Sequence, residues 1–162
     1  MDNNSSYIYI LRDSLKKKTV ILDKIIEENE RQKESVSGEK LDDTAFDMSM
    51  DNKEKLINEL NALDDGFQKV YDRVKDILTG EDGKKKYESE INEMKKLISD
   101  ITDKSMEIQR QEKQNEALVM KKLAEERNNI SKVRSARKVA AGYYQSMNKI
   151  DYTEPQFMDQ KK

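Results

Sequence analysis

The stretch from Lys84 to Ala141 decides the fold of this chain, and it reads KKKYESEINEMKKLISDITDKSMEIQRQEKQNEALVMKKLAEERNNISKVRSARKVAA. These 58 residues contain neither glycine nor proline, the two residues that most often interrupt a helix. Their apolar residues recur at steps of three and four, which is the spacing of one helix face. A helix of this length would span roughly 85 Å and would have to bury its apolar stripe against other helices. The stretch therefore predicts an all-α protein.

The composition favours long helices with narrow apolar seams over a single compact core. Charged residues make up 40% of the 162 residues and hydrophobic residues 35%, whereas globular domains average about 25% and 45–50%. The net charge is only −2, so charge gives no reason to expect nucleic acid or an anionic membrane as a partner.

Cysteine and histidine are both absent, which removes the thiol nucleophile, the commonest general base and the commonest metal ligands. The carboxylate pairs Asp42-Asp43, Asp64-Asp65 and Glu81-Asp82 lack the spacing of a calcium loop, and we interpret them as solvated turns and helix caps. We expect no enzyme activity, no cofactor and no metal. No apolar run approaches the ~20 residues of a membrane span, and the N-terminus lacks the features of a secretory signal, so we expect a cytoplasmic protein.

The apolar periodicity predicts three helices in one domain over residues 1–150, at about 6–34, 44–79 and 84–150, followed by a flexible tail at 151–162. The face of the first helix comprises Ile8, Leu11, Leu15, Leu22, Ile25 and Ile26, widened by Val20 and Ile21. The seam of the second helix comprises Phe46, Met50, Lys53, Ile57, Leu60, Asp64, Phe67, Tyr71, Val74 and Leu78, flanked by Leu56, Leu63, Val70 and Ile77. Faces this wide predict an elongated antiparallel three-helix bundle, or coiled coil, with a very long C-terminal helix. We expect the second helix to continue through Gly66 and to end at the turn from Thr79 to Gly83.

The third helix carries an apolar stripe from Tyr87 to Ile108, and eight polar residues then follow at Gln109 to Glu116. We expect the helix to persist through these eight residues with water on every side. The stripe resumes in a shifted phase at Val119 and Leu123, so the helix should carry two separate apolar faces.

The turn before the third helix should bring the second helix back along it, with Phe46 level with Val119. The stripe from Ile130 to Met147 would then project beyond the bundle. In an alternative arrangement the first helix lies end to end with the second and covers that stripe. We favour the projecting arrangement, because the wide faces of the first two helices require a three-helix core.

Pro155 prevents the last helix from continuing into the tail, where aromatic residues and methionine alternate with polar residues. Methionine and tyrosine at an open surface are typical of adaptable binding faces, although most of the methionines should be core residues. We therefore predict a partner-binding site on the distal helix and tail, formed by Ile130, Val133, Ala140, Tyr143, Tyr144, Met147, Ile150, Tyr152, Phe157 and Met158. The basic residues from Lys121 to Lys138 are interpreted mainly as a solvated helix face, with an acidic protein as a second possibility.

Three segments resemble FlgN-type flagellar export chaperones. They are Asn52-Lys53-Glu54-Lys55-Leu56-Ile57-Asn58-Glu59-Leu60 in the middle helix, Ala140-Ala141-Gly142-Tyr143-Tyr144 near the end of the last helix, and Phe157-Met158-Asp159-Gln160-Lys161-Lys162 at the C-terminus. The resemblance spans most of the chain.

This resemblance implies a cytoplasmic chaperone that holds hook-filament junction proteins before they pass the type III export gate. It also implies that the C-terminal helix and tail bind the client, and that Tyr143 or Tyr144 docks at the gate. No cofactor follows from it. The alternative from the residues alone is a coiled-coil structural or adaptor protein that self-associates through the distal stripe of its last helix.

Overall fold

The computed structural model describes residues 3–125, and this part of the chain is all-α, as predicted. Helix α1 spans Asn3–Ser37, α2 spans Asp43–Thr79, α3 spans Glu81–Lys86 and α4 spans Glu88–Glu125. The predicted continuation of the last helix to residue 150 and the tail at 151–162 lie outside the described residues.

Helix α2 begins and ends at residues that satisfy its free backbone groups. The side chain of Asp42 caps the helix by accepting a hydrogen bond from the backbone N–H of Ala45 at 3.0 Å. At the other end, the N–H of Gly80 donates to the carbonyl of Asp76. The helix continues through Gly66, as predicted, and no atom outside the helix backbone lies within 4 Å of where a β-carbon would stand there.

Helix α1 lies between α2 and α4 and packs closely along both. It runs antiparallel to α2, because Tyr7 accepts a hydrogen bond from Arg73 while Lys18 donates to Asp64 further along. It runs parallel to α4, because Arg12 pairs with Glu93 and Asp23 pairs with Lys104. The first helix therefore lies beside the second, and the end-to-end arrangement is wrong.

The proximal core is the larger of two apolar clusters, and helices α1, α2 and α4 all contribute to it. Its buried members are Ile8, Leu11, Leu15, Ile21, Leu22, Ile25, Ile57, Leu60, Phe67, Tyr71, Val74, Leu78, Tyr87, Ile91, Met94, Ile98, Ile101 and Ile108. These are the residues that the three- and four-residue spacing of each helix assigns to one face.

Several apolar residues expected in the core are exposed instead. Val20 is 53% exposed, because it lies on the side of α1 away from the core although Ile21 beside it is buried. Met48 and Met106 also face solvent, so these two methionines are not core residues. Met94, by contrast, is completely buried.

The expected continuous helix from Lys84 is interrupted at Tyr87. This residue has φ −111° and ψ 24°, outside the helical range, and it separates the short helix α3 from α4. Backbone hydrogen bonds continue across the break, from the Tyr87 N–H to Gly83 and from the Ile91 N–H to Tyr87. The Tyr87 side chain is buried in the proximal core, so the chain bends without losing its packing or its backbone bonds.

Gly83 allows α3 to pack directly on the last turns of α2. A β-carbon at this position would lie 1.7 Å from the carbonyl oxygen of Ile77, far inside van der Waals contact. The reversal between α2 and α4 therefore needs glycine at residue 83 because the neighbouring backbone occupies the space of a side chain.

Two glycine-to-alanine variants should have opposite effects. Gly66→Ala is expected to stabilise the protein by about 0.5–1 kcal/mol, because an exposed position inside a helix gains helix propensity without a clash. Gly83→Ala is expected to destabilise it by about 1–3 kcal/mol, because the backbone must move to admit the methyl group. Urea denaturation of both variants measures the difference, and equal effects would contradict the close approach at Gly83.

The Glu93 carboxylate provides a pH-dependent link between α1 and α4. Hydrogen bonds from Lys16 and Arg12 lower the pKa of Glu93 below its ordinary value of 4.5. The folded state therefore binds this proton less tightly than the unfolded state, and the stabilisation is present above about pH 4.5 and is lost as the pH falls through the lowered pKa.

Glu93→Gln should lower the thermal midpoint slightly at pH 7 and have no effect once the pH is well below that lowered pKa. The effect at pH 7 should be small because the pair is exposed, and it should shrink further in 1 M NaCl. If the thermal midpoints of the parent and of Glu93→Gln differ by the same amount at all pH values, the charge of the Glu93 carboxylate does not contribute to stability.

Candidate functional site

The ten residues predicted to bind a partner, from Ile130 to Met158, all lie outside the described residues. The structure does, however, describe the end of the bundle that precedes them, and two features stand out there. One is a layer of buried polar side chains, and the other is a small second apolar cluster beyond it.

The polar layer is formed by side chains from α1, α2 and α4 that point into the interior at one level. Its members are Glu28, Asn29 and Gln32 from α1, Lys53 from α2, and Gln111, Glu112 and Asn115 from α4. Each occupies a position that the helix spacing assigns to the buried face. The layer therefore replaces what would otherwise be a turn of apolar packing in each helix.

Lys53 and Glu112 form an ion pair at the centre of this layer. Lys53 is 0% exposed and Glu112 is 5% exposed, and the ammonium nitrogen contacts carboxylate oxygen Oε1. The Lys53 ammonium also donates to Gln32 Oε1 at 3.3 Å. Burial lowers the pKa of Lys53 below its ordinary value, and the attraction of Glu112 opposes this change.

Amide side chains connect α1 to α4 around the ion pair. Asn29 Nδ2 donates to Gln111 Oε1 at 3.1 Å, and Asn115 Nδ2 donates both to the Asn29 carbonyl at 2.9 Å and to Gln32 Oε1 at 3.1 Å. Gln111 Nε2 in turn donates to the Ile26 carbonyl at 3.2 Å. These bonds satisfy most of the polar atoms that the layer removes from water.

Glu28 lies at the edge of the layer and is 7% exposed. Its carboxylate accepts hydrogen bonds from Asn52 on α2 at 3.4 Å and pairs with Arg31 one turn further along α1. Gln32 Nε2 contacts the thioether sulfur of Met50 at the border with the proximal core. The layer therefore carries a carboxylate at its edge, paired with the exposed Arg31, and a fully buried ammonium at Lys53.

The prediction that Gln109 to Glu116 are surrounded by water is wrong. Gln111, Glu112 and Asn115 are buried, and they continue the face that ends in apolar residues at Ile108. The steps from Ile108 to Glu112, Asn115 and Val119 are four, three and four, so no phase shift occurs before Val119. Within the described residues the buried face of α4 continues through this segment to Val119 and Leu123, and the rest of the predicted second face, from Ile130 onward, lies outside them.

The sequence contains a signal for this layer. Lys53 falls within the second helix seam, and Glu112 and Asn115 fall at seam spacing in the third. A polar residue at seam spacing on two helices predicts a buried pair once their alignment is known. The spacing within each helix does not, however, determine whether Lys53 and Glu112 face each other.

A second apolar cluster, here called the distal cluster, lies beyond the polar layer. It comprises Val36, Leu41, Phe46, Leu118, Val119 and Leu123. Phe46 packs against the cluster that contains Val119, as expected from the fold-back at Gly80. The start of the resumed stripe is therefore covered by α1, α2 and their connection at residues 38–42.

Lys122 attaches α4 to that connection. Its ammonium donates to the carbonyl of Gly38 and, at 3.0 Å, to that of Glu39. The side chain is only 12% exposed, so Lys122 is not part of a freely solvated basic face. Lys122 also marks the level along α4 at which the chain passes from α1 to α2.

A second buried ion pair lies nearer the other end, between Lys18 of α1 and Asp64 of α2. The Lys18 nitrogen and the Asp64 Oδ1 oxygen are 2.7 Å apart, and both side chains are largely buried. Burial raises the pKa of Asp64, and the attraction of Lys18 opposes that change. Asp64 is therefore not part of a solvated turn, whereas Asp42 does act as a helix cap, as expected.

The described residues include no group of three or more acidic side chains that could hold a metal ion. Among the helices of residues 3–125, none combines the length and the apolar character needed to cross a membrane.

A lysine with a lowered pKa can mark an active site. Lys53 is shielded by the three helices, however, and its described contacts hold the helices in alignment.

Comparison with known proteins returned no matching family model, no matching curated protein and no matching solved structure.

Substitutions in the Lys53–Glu112 pair should show that its members depend on each other. Lys53→Met or Glu112→Leu alone is expected to lower the free energy of unfolding by about 3–5 kcal/mol, because the remaining charge stays buried without its partner. The double variant Lys53→Met/Glu112→Leu should be as stable as the parent or more stable by about 1–4 kcal/mol, because no charge is then buried.

Urea denaturation with circular dichroism measures these three variants. The matched control is the exposed pair of Glu107 and Arg110, where replacing either residue by Gln should leave the urea midpoint nearly unchanged. Additive losses in the Lys53/Glu112 double variant would contradict a coupled buried pair.

Proposed function

We propose that this chain is a non-enzymatic protein-binding chaperone whose partner site lies on a C-terminal extension of α4. In this proposal the chain is an elongated antiparallel three-helix bundle, α4 continues to about residue 150, and residues 151–162 form a flexible tail. The observation that supports it is the end of the bundle at Lys122, where the connection at residues 38–42 closes over α4. A helix that continues past this level leaves α1 and α2 behind.

The sequence beyond that level supplies the apolar residues that a partner would need. Ile130, Val133, Ala140, Tyr144 and Met147 follow at steps of three, four or seven, which is the spacing of one helix face. An amphipathic helix of a client can complete such a face, because apolar residues on both helices leave water together. Tyr143, Ile150, Tyr152, Phe157 and Met158 add aromatic and thioether contacts near the end.

The resemblance to FlgN-type chaperones identifies the proposed clients as hook-filament junction proteins. The proposed site of action is the cytoplasm, where the chaperone would deliver these clients to the type III export apparatus. Tyr143 or Tyr144 is proposed to contact the export gate. The proposal requires no cofactor, nucleic acid or membrane span.

Removing residues 143–162 should abolish client binding and leave folding intact. The truncated chain should keep its helicity and its thermal midpoint, because both apolar clusters and the polar layer lie within residues 3–125. Isothermal titration with purified hook-filament junction proteins measures binding, and circular dichroism measures folding. A large fall in the midpoint would instead indicate that the last twenty residues belong to the core.

Two point variants of the full chain test the proposed face more finely. Val133→Asp should weaken client binding at least about tenfold, because it places a charge on the apolar face. Ser131→Asp is the matched control, since it adds the same charge two residues away and off that face. If neither variant affects the client but Val133→Asp dissolves a dimer seen by light scattering, the self-associating adaptor is the better explanation.

A further inference from the structure

We infer that the polar layer divides the bundle into two cooperative units and that the distal unit opens while the proximal core stays folded. The distal unit consists of the distal cluster, the polar layer and the connection at residues 38–42. This inference concerns the free chain and does not rest on the proposed function. It begins from the separation of the apolar side chains into two clusters.

The two clusters differ greatly in size. The proximal core contains eighteen buried apolar side chains from the three long helices and Tyr87, whereas the distal cluster contains only Val36, Val119 and Leu123 as buried members. No apolar side chain within residues 3–125 is a member of both clusters, because Lys53, Glu112 and the amides occupy most of the level between them. Met50, one turn of α2 before Lys53, is the apolar side chain at this level that packs against the proximal core. Apolar burial is the main favourable contribution to folding, so little of it is lost when the distal unit opens.

The polar layer itself also favours opening. Burying Lys53 and Glu112 removes both charges from water, and their mutual attraction compensates for that cost only in part. When the distal unit opens, these charges and the amides of Asn29, Gln111 and Asn115 regain water as a partner. The side chain oxygen Oδ1 of Asn29 is buried without a hydrogen bond from any described residue, so it gains one on opening.

The geometry makes opening a concerted event and not the fraying of separate helix ends. Asn115 and Gln111 bind α1, Lys53 of α2 binds Glu112 of α4, and Lys122 binds the connection. At this level each of the three helices is therefore held by the other two. Separating α4 from this level breaks the contacts of α1 and α2 as well, so amides in all three helices should become exposed together.

Native-state hydrogen exchange of the full chain, followed by NMR, tests this inference. Amides near Val36, Phe46 and Val119 should have protection factors at least about tenfold lower than amides near Leu60 and Met94. The three distal amides should also share one value and one dependence on added urea. A gradual decrease towards each helix end, with a different urea dependence in each helix, would overturn the inference.

Two mild core variants separate a two-unit bundle from a single cooperative unit. Ile98→Val in the proximal core should lower proximal protection by roughly twofold to tenfold and leave distal protection unchanged, because the distal unit opens without disturbing Ile98. Val119→Ala should lower protection in both regions, because both openings break the contacts of Val119. Equal losses in both regions for Ile98→Val would show that the bundle opens only as a whole.

Discussion

The buried ion pair of Lys53 and Glu112 is the constraint on which the alignment of the bundle depends. Each charge is removed from water, and only one alignment of α2 along α4 leaves both charges paired. Apolar contacts tolerate a shift of one turn, because one aliphatic side chain can replace another, but an unpaired buried charge cannot be accommodated in this way. The pair thus fixes the alignment of α2 along α4 at this level, and the neighbouring distal cluster combines Phe46 of α2 with Val119 of α4.

The same pair explains why apolar burial is distributed unevenly along the bundle. Apart from the Lys18–Asp64 pair, apolar side chains fill the proximal core, and they stop where the polar layer begins. Beyond it, the distal cluster is small and is closed by a five-residue connection and by Lys122. The polar layer therefore fixes the alignment of the helices, whereas the proximal core supplies most of the apolar burial. The two lie at different levels because charged and amide side chains occupy the space that apolar side chains would fill.

This uneven construction suits the proposed chaperone. Its proximal core can hold the three long helices together while the proposed client face begins beyond the distal cluster, so partner binding and folding involve different residues. Opening of the distal unit would expose Phe46, Val119 and Leu123, of which Val119 and Leu123 precede the proposed face along α4. A client helix could then extend its apolar contacts into the bundle.

Local properties of the chain were enough to predict the all-α class, most of the buried apolar residues and the glycine-rich reversal near Gly80, because the spacing of apolar residues and the conformational cost of glycine do not depend on the rest of the fold. Whether the polar residues are buried or exposed depends on the tertiary structure. Gln111, Glu112 and Asn115 look like a solvated segment when α4 is considered alone, and Lys53 looks like an exception in an apolar seam. They are buried because α1, α2 and α4 bring their partners to the same level, and a polar side chain can leave water only where another helix supplies its hydrogen bonds.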